Sequence, residues 1–173
     1  KELESLEKSH DNSQELFLAK AAIASKEGLH NLSINFFKES LKGAEFPEDI
    51  WPLMANEYQM AGNYELALKY YKQSLEQNPE DEISIYNLAL CLDFLDKNSE
   101  GISFFKKLIN KNPYSEVSWY HLAMIYAKEK EYDKAIWAID YSLLIDDEFT
   151  AAYFEKARIL ERTYQFQEAA NTY

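Results

Sequence analysis

Apolar residues recur along this chain at the spacing of an α-helix. Ile85, Leu88, Ala89 and Leu92 follow the i, i+3, i+4, i+7 rule, and Ile102, Phe105, Leu108 and Ile109 keep one helical face in the same way. Such runs come in pairs separated by a short break. Gly28 and Gly62 occupy that break at a 34-residue offset, and a glycine there fits the left-handed residue that ends a helix. Asp96 and Lys130 hold the same place further on, at a conformational cost. Pro79 and Pro113 close the second run of their pairs, since proline cannot continue a helix. Asp81 and Ser115 then stand where an N-cap is wanted. Pro52 falls in the first turn of its helix and is no obstacle there.

The offset is a period of the whole chain. Windows of 34 residues counted from Gln14 are 14–47, 48–81, 82–115, 116–149 and a shorter 150–173. The eighth place is alanine in all five: Ala21, Ala55, Ala89, Ala123 and Ala157. The twentieth is always small: Ser33, Ala67, Gly101, Ala135 and Ala169. The fourth (Phe17, Trp51, Ile85, Trp119, Tyr153) and the twenty-fourth (Phe37, Tyr71, Phe105, Ile139, Tyr173) are always large. Each window therefore predicts a helix–turn–helix. Two helix backbones approach closely only where side chains are small, and large ones fill the space on either side. On this reading Ala89→Leu or Ala123→Leu overpacks the contact, at a cost of about 1–3 kcal/mol.

These columns resemble the tetratricopeptide repeat (TPR) family. Trp119, Leu122, Ala123, Tyr126, Ala135 and Ile139 sit at the family's signature spacing. Window 48–81 matches through Trp51, Ala55, Tyr58, Gly62, Tyr64, Ala67, Tyr71 and Pro79. Window 14–47 departs from the pattern, with Lys20 in place of a usual Leu and its proline two places late. The resemblance implies an all-α fold: a TPR helix–turn–helix solenoid, wound as a right-handed superhelix, of about five 34-residue repeats. Residues 1–13 read as the tail of a preceding repeat helix, with Leu3, Leu6 and Asp11 in matching places. They are followed by TPR 1 (14–47), TPR 2 (48–81), TPR 3 (82–115), TPR 4 (116–149) and a truncated TPR 5 (150–173). The expectation is a slice of a longer array, since no polar capping repeat is visible at either end.

Composition narrows the chemistry. Of 173 residues, 47% are hydrophobic and 15% aromatic, which argues against disorder. A formal net charge of −12 speaks against nucleic acid, whose binding needs a basic face. Windows 48–81 and 116–149 carry −5 each and the other windows are neutral. No apolar run approaches the ~18 residues of a membrane span. One thiol, Cys91, rules out an intrachain disulfide and a Cys-based zinc cage, and is compatible with a cytoplasm or a periplasm. His10, His30 and His121 have no partner at the i, i+4 spacing of a helical metal site. Asp146, Asp147 and Glu148 read as a solvated turn. No glycine-rich phosphate loop and no Ser–His–acid spacing is present. The expectation is no catalytic residue, no metal and no cofactor.

In the family, the first helix of each repeat lines a concave face that commonly holds an extended peptide or a partner helix. Carried over by place, the groove residues are Asn56, Tyr86, Asn87, Leu90, Tyr120, His121, Met124, Phe154, Arg158 and Arg162. Tyr86, Tyr120 and Phe154 would form an aromatic ladder at the repeat spacing, and Lys128 with the two arginines a basic spot. Asn56 and Asn87 match the asparagines of a carboxylate-clamping subset, but Pro52, Val117 and His121 stand where its cations belong. Trp137 and Tyr141 stand one turn apart on a second helix, and Trp137 takes a place that is usually polar. The resemblance implies a non-catalytic scaffold binding a protein or peptide partner. The alternative is a regulatory or sensory segment of a larger enzyme or signalling protein. Self-association through exposed repeat ends is a third reading.

Overall fold

A computed structural model describes residues 14–42 and 44–172. Segment 1–13 and Tyr173, to which the repeat pattern was extended above, lie outside the described residues. Among the described residues there are ten α-helices and no strand, so the fold is all-α. The chain divides into two compact units between Asn78 and Pro79. Unit 1 holds α1 (Gln14–Lys26), α2 (His30–Leu41), a 3-10 turn over Pro47–Asp49, α3 (Trp51–Met60) and α4 (Tyr64–Gln77). Unit 2 holds α5 (Glu82–Phe94), α6 (Asn98–Lys111), α7 (Glu116–Lys128), α8 (Tyr132–Ile145), α9 (Thr150–Arg162) and α10 (Phe166–Thr172).

Every first helix ends in the same turn. Gly28, Gly62, Asp96, Lys130 and Tyr164 all take positive φ, at 73°, 77°, 53°, 62° and 62°. The residue after each donates its N–H to a carbonyl five positions back: Leu29 to Ala24, Asn63 to Tyr58, Lys97 to Leu92, Glu131 to Tyr126 and Gln165 to Leu160. The left-handed residue itself donates to a carbonyl three positions back. This pair of bonds is a Schellman cap, which satisfies the orphan carbonyls of the helix and reverses the chain. The second helices of the middle repeats stop just before Pro79 and Pro113. Asp81 and Ser115 then cap α5 and α7, their side chains accepting from the N–H groups of Ser84 and Ser118.

The small columns lie where the helices cross. Ala21, Ala55, Ala67, Ala123, Ala135 and Ala157 are completely buried, as is Ser33. Ser33 turns its polar atom inward at no loss, its Oγ donating to the Ala21 carbonyl at 2.9 Å. A Cβ on Gly101 would lie 2.6 Å from Cδ1 of Ile125, so α6 meets α7 closely there. Ala89 departs from its column. It is half-buried and lines an open cleft, so a larger side chain has room there that its buried column-mates lack. Phe37, Tyr71, Phe105 and Ile139 fill the core as expected of the twenty-fourth place. Of the fourth, Ile85 is buried whereas Tyr153 stays exposed.

Unit 1 also holds a buried charge that the sequence pattern does not announce. Glu57, only 3% exposed, accepts from Ser25 Oγ at 2.6 Å and lies 2.9 Å from His30 Nδ1. The contact ties α1 and the start of α2 to α3. His30 thus has a partner, reached through the tertiary fold at a separation of 27 residues.

Candidate functional site

In unit 2 the first helices form a wall, with α5 packed on α7 and α7 on α9. Helix α5 is apolar on two faces. Ile85, Leu88, Cys91 and Leu92 face inward and are buried, whereas Ile83, Tyr86, Leu90 and Phe94 form an exposed stripe at i, i+3, i+7 and i+11. A contiguous exposed apolar stripe marks an interaction surface more often than isolated exposed residues do.

Between α5 and α7 this wall opens into a cleft of about 320 Å³. Tyr86, Ala89 and Leu90 supply one side and Tyr120, Met124 and Ile125 the other. His121 sits between the two tyrosines, its ring centroid 5.8 Å from that of Tyr86 and 5.2 Å from that of Tyr120. From beneath, Phe105 of α6 stacks on the same imidazole at 5.7 Å. Burial lowers the His121 pKa to about 4, so the ring is neutral near pH 7. Burial, followed by the nearby Glu155 and Tyr86, raises the Tyr120 pKa. The far end of the cleft is charged: Lys128 Nζ lies 2.9 Å from Asp93 Oδ1 and 2.9 Å from Asp96 Oδ1. Hydrogen bonds to these carboxylates raise the Lys128 pKa.

Of the ten residues carried over by place, Tyr86, Leu90, Tyr120, His121 and Met124 line this one cleft. Asn87 is half-buried on α5, and Asn56 is an exposed residue of α3 in unit 1. His121, expected as a surface or groove histidine, is only 8% exposed and serves as the cleft's floor. Phe154 is not part of this lining; it borders a depression of about 350 Å³ with Asp147, Glu148 and Tyr153. Two of the three cations of the expected basic spot have acidic partners. Lys128 is held by Asp93 and Asp96, and Arg158 Nη1 donates to Glu155 Oε1 at 2.5 Å. Arg162 is exposed.

The reading by repeat place missed Ala89, Leu92, Asp93, Asn98 and Ile125, which complete the lining. A signal existed: Lys128 and Asp93 are 35 residues apart, one repeat plus one residue, so a search for opposite charges near that offset finds the pair.

Elsewhere in unit 2, Trp119 stacks on Tyr141 at 4.7 Å and meets Trp137 edge-on at 5.2 Å. The aromatic pair on α8 is thereby packed within its own helical hairpin, although Trp137 stays half exposed. Cys91 is fully buried, and burial raises its pKa to about 11, which makes it a poor nucleophile. Among the described residues, no group of three His, Cys, Asp or Glu side chains comes together to hold a metal ion. No described helix is long and apolar enough to cross a membrane.

Three tetratricopeptide repeat family models match the sequence, over residues 50–81, 84–115 and 104–136. No curated protein matches it. Among solved structures it is similar to the protein MamA, at 19% identity over 92% of this chain and 87% of that one, with a TM-score of 0.73. A tetratricopeptide repeat protein from Parabacteroides merdae superposes with a TM-score of 0.78 at 15% identity, over 94% of this chain and 64% of that one. YrrB, described as a TPR protein with an unusual peptide-binding site, gives 0.66 at 13% identity over 99% and 89%. At such identities the likeness is one of fold.

Proposed function

Because the chain belongs to the tetratricopeptide repeat family, we propose that it is a non-catalytic interaction scaffold that holds a peptide or helix of a partner protein along α5 and α7. The observation that carries this reading is the exposed stripe Ile83, Tyr86, Leu90 and Phe94 running beside an open cleft floored by a neutral histidine. Covering such a stripe removes apolar area from water, at roughly 25 cal/mol per Å². Tyr86 and Tyr120 are rigid aromatic anchors that lose little entropy on binding. The titratable groups support a binding role: His121 is a buried neutral imidazole and Lys128 is paired with two carboxylates. The peptide-binding site described for YrrB supports the same reading by analogy of fold. The acidic balance of the chain supports a protein partner over nucleic acid.

A photo-crosslinking residue placed at Leu90, and separately at the exposed Lys107 of α6, tests the proposal in cells. The expected outcome is a defined partner captured from Leu90, not from Lys107, and lost when Tyr86 and Tyr120 become alanine. Equal capture from both positions, or capture indifferent to the two tyrosines, would sink it.

A further inference from the structure

The α5–α7 cleft is built for one kind of side chain. At about 320 Å³ it lies at the lower edge of the ~300–1,000 Å³ range of small-molecule pockets. It suits a single large side chain better than a whole ligand. Tyr86, Leu90, Met124 and Ile125 make an apolar wall and Asp93, Asn98 and Lys128 a polar end, so an apolar group fits the body of the cleft.

What borders the cleft adds a second requirement. Asn98 lines it and also lines a shallow depression formed by Asp96, Lys97, Ser99, Glu100 and Glu129. Asn98 Nδ2 donates to Glu129 Oε1 at 2.5 Å, which holds that carboxylate at the boundary. Lys97 Nζ lies 3.5 Å from Glu100 Oε2, and Lys128 is shared by Asp93 and Asp96. Four carboxylates thus meet two ammonium groups around one end of an apolar cleft, and Asp93 and Asp96 are more than 70% exposed. That rim is net acidic, open to water and adjacent to the anchor site. A cation brought there meets Asp93 and Asp96, two exposed carboxylates that share the one Lys128 ammonium; an anion meets lysines that are already engaged.

Resting on the scaffold reading above, we infer that the partner segment carries a bulky apolar residue, which fills the α5–α7 cleft, with a Lys or Arg within about three positions that meets the Asp93–Asp96–Glu129 rim. An extended chain advances ~3.3–3.6 Å per residue, so three positions reach about 10 Å, enough to pass from an anchor in the cleft to its border. The apolar residue supplies most of the affinity, and the cation supplies direction and specificity.

The test is selection from a random-sequence phage-displayed peptide library against the full chain, followed by fluorescence anisotropy on synthetic peptides of the selected sequence. Selected peptides are expected to pair a Phe, Trp, Leu or Met with a nearby Lys or Arg. Replacing that cation by Glu should weaken binding about threefold to tenfold at low salt, and the difference should shrink as ionic strength rises. Asp93→Asn with Asp96→Asn frees Lys128 and should reverse the preference, so that the Glu peptide binds the better of the two. Ala89→Leu narrows the cleft and should abolish binding. Leu90→Glu, at an exposed position, gives the same readout should Ala89→Leu disturb the fold. Peptides that need the cleft but show neutral or acidic flanks, or no reversal with the double variant, overturn this inference and leave the scaffold reading standing. Peptides indifferent to both cleft variants, or no enriched sequence at all, overturn both.

Discussion

The imidazole of His121 stacks on the ring of Phe105, centroids 5.7 Å apart and 24° from parallel, with the histidine pKa lowered to about 4 by burial. The ordinary value is 6.5, so between these two values the unfolded chain binds the proton that the folded one refuses. The folded pKa of this base is depressed. Its contribution to stability is therefore fully present above about pH 6.5, falls as pH drops toward 4, and falls no further below that. The loss at completion is on the order of 3 kcal/mol. Urea unfolding at a series of pH values, compared with His121→Phe, isolates this contribution from the carboxylates, which titrate in both proteins. The gap between the two should close in favour of the variant on acidification. A gap constant across the range would show that His121 is as free to protonate in the fold as out of it.

Glu57 is the second buried group with a measurable consequence. Replacing it by alanine leaves Ser25 Oγ and the His30 ring without their acceptor, and should cost about 2–3 kcal/mol. Glu57→Gln keeps an acceptor of the same length and should lose about half as much. Hydrogen exchange of α1 to α3 reads the effect locally. Equal protection in all three proteins would mean that the contact carries no stability.

Lys130 sits at φ 62° in a turn where two of the other four positions are glycine. Relief of the left-handed strain outweighs the extra freedom glycine gives the unfolded chain, so Lys130→Gly should stabilise by about 0.5–1 kcal/mol. The converse change, Gly28→Ala, meets no atom within 4 Å yet should cost about 1 kcal/mol, because its φ of 73° is unfavourable for any Cβ. Thermal melts resolve both, at roughly 2–4 °C per kcal/mol in a chain of this size. A destabilised Lys130→Gly would show that its side chain holds the turn.

Ala123 and Ala89 share one column of the repeat and should respond differently to leucine. Ala123 is completely buried, so Ala123→Leu should cost about 1–3 kcal/mol. Ala89 borders the cleft, and Ala89→Leu should change stability by less than about 1 kcal/mol while filling that space. Matching losses in urea unfolding would mean the cleft is closed in solution.

Much of this fold is visible in the residues themselves, because its determinants are local. A left-handed residue every 34 positions, a proline after a second helix and a capping Asp81 or Ser115 each act over a few residues. Tyr164 shows the limit of that rule: it takes the same turn with no compositional signal, since the Schellman bonds around it impose the conformation. The site was half legible. Repeat place brings Tyr86, Tyr120 and Met124 together, but it treats every repeat alike and so adds Phe154, which lines a different depression.

The period, the all-α class, four of the five turns and most of the small crossing residues are readable from the residues alone, since each is set by backbone sterics and a countable spacing. Which repeat departs from the pattern emerges when the helices pack. The cleft opens at Ala89 and not at its four column-mates, His121 becomes a neutral floor, and Lys128 is taken up by Asp93 and Asp96. The physical reason is that burial and charge pairing depend on side chains from neighbouring helices, 16 to 35 residues away in sequence, whose meeting no single window contains.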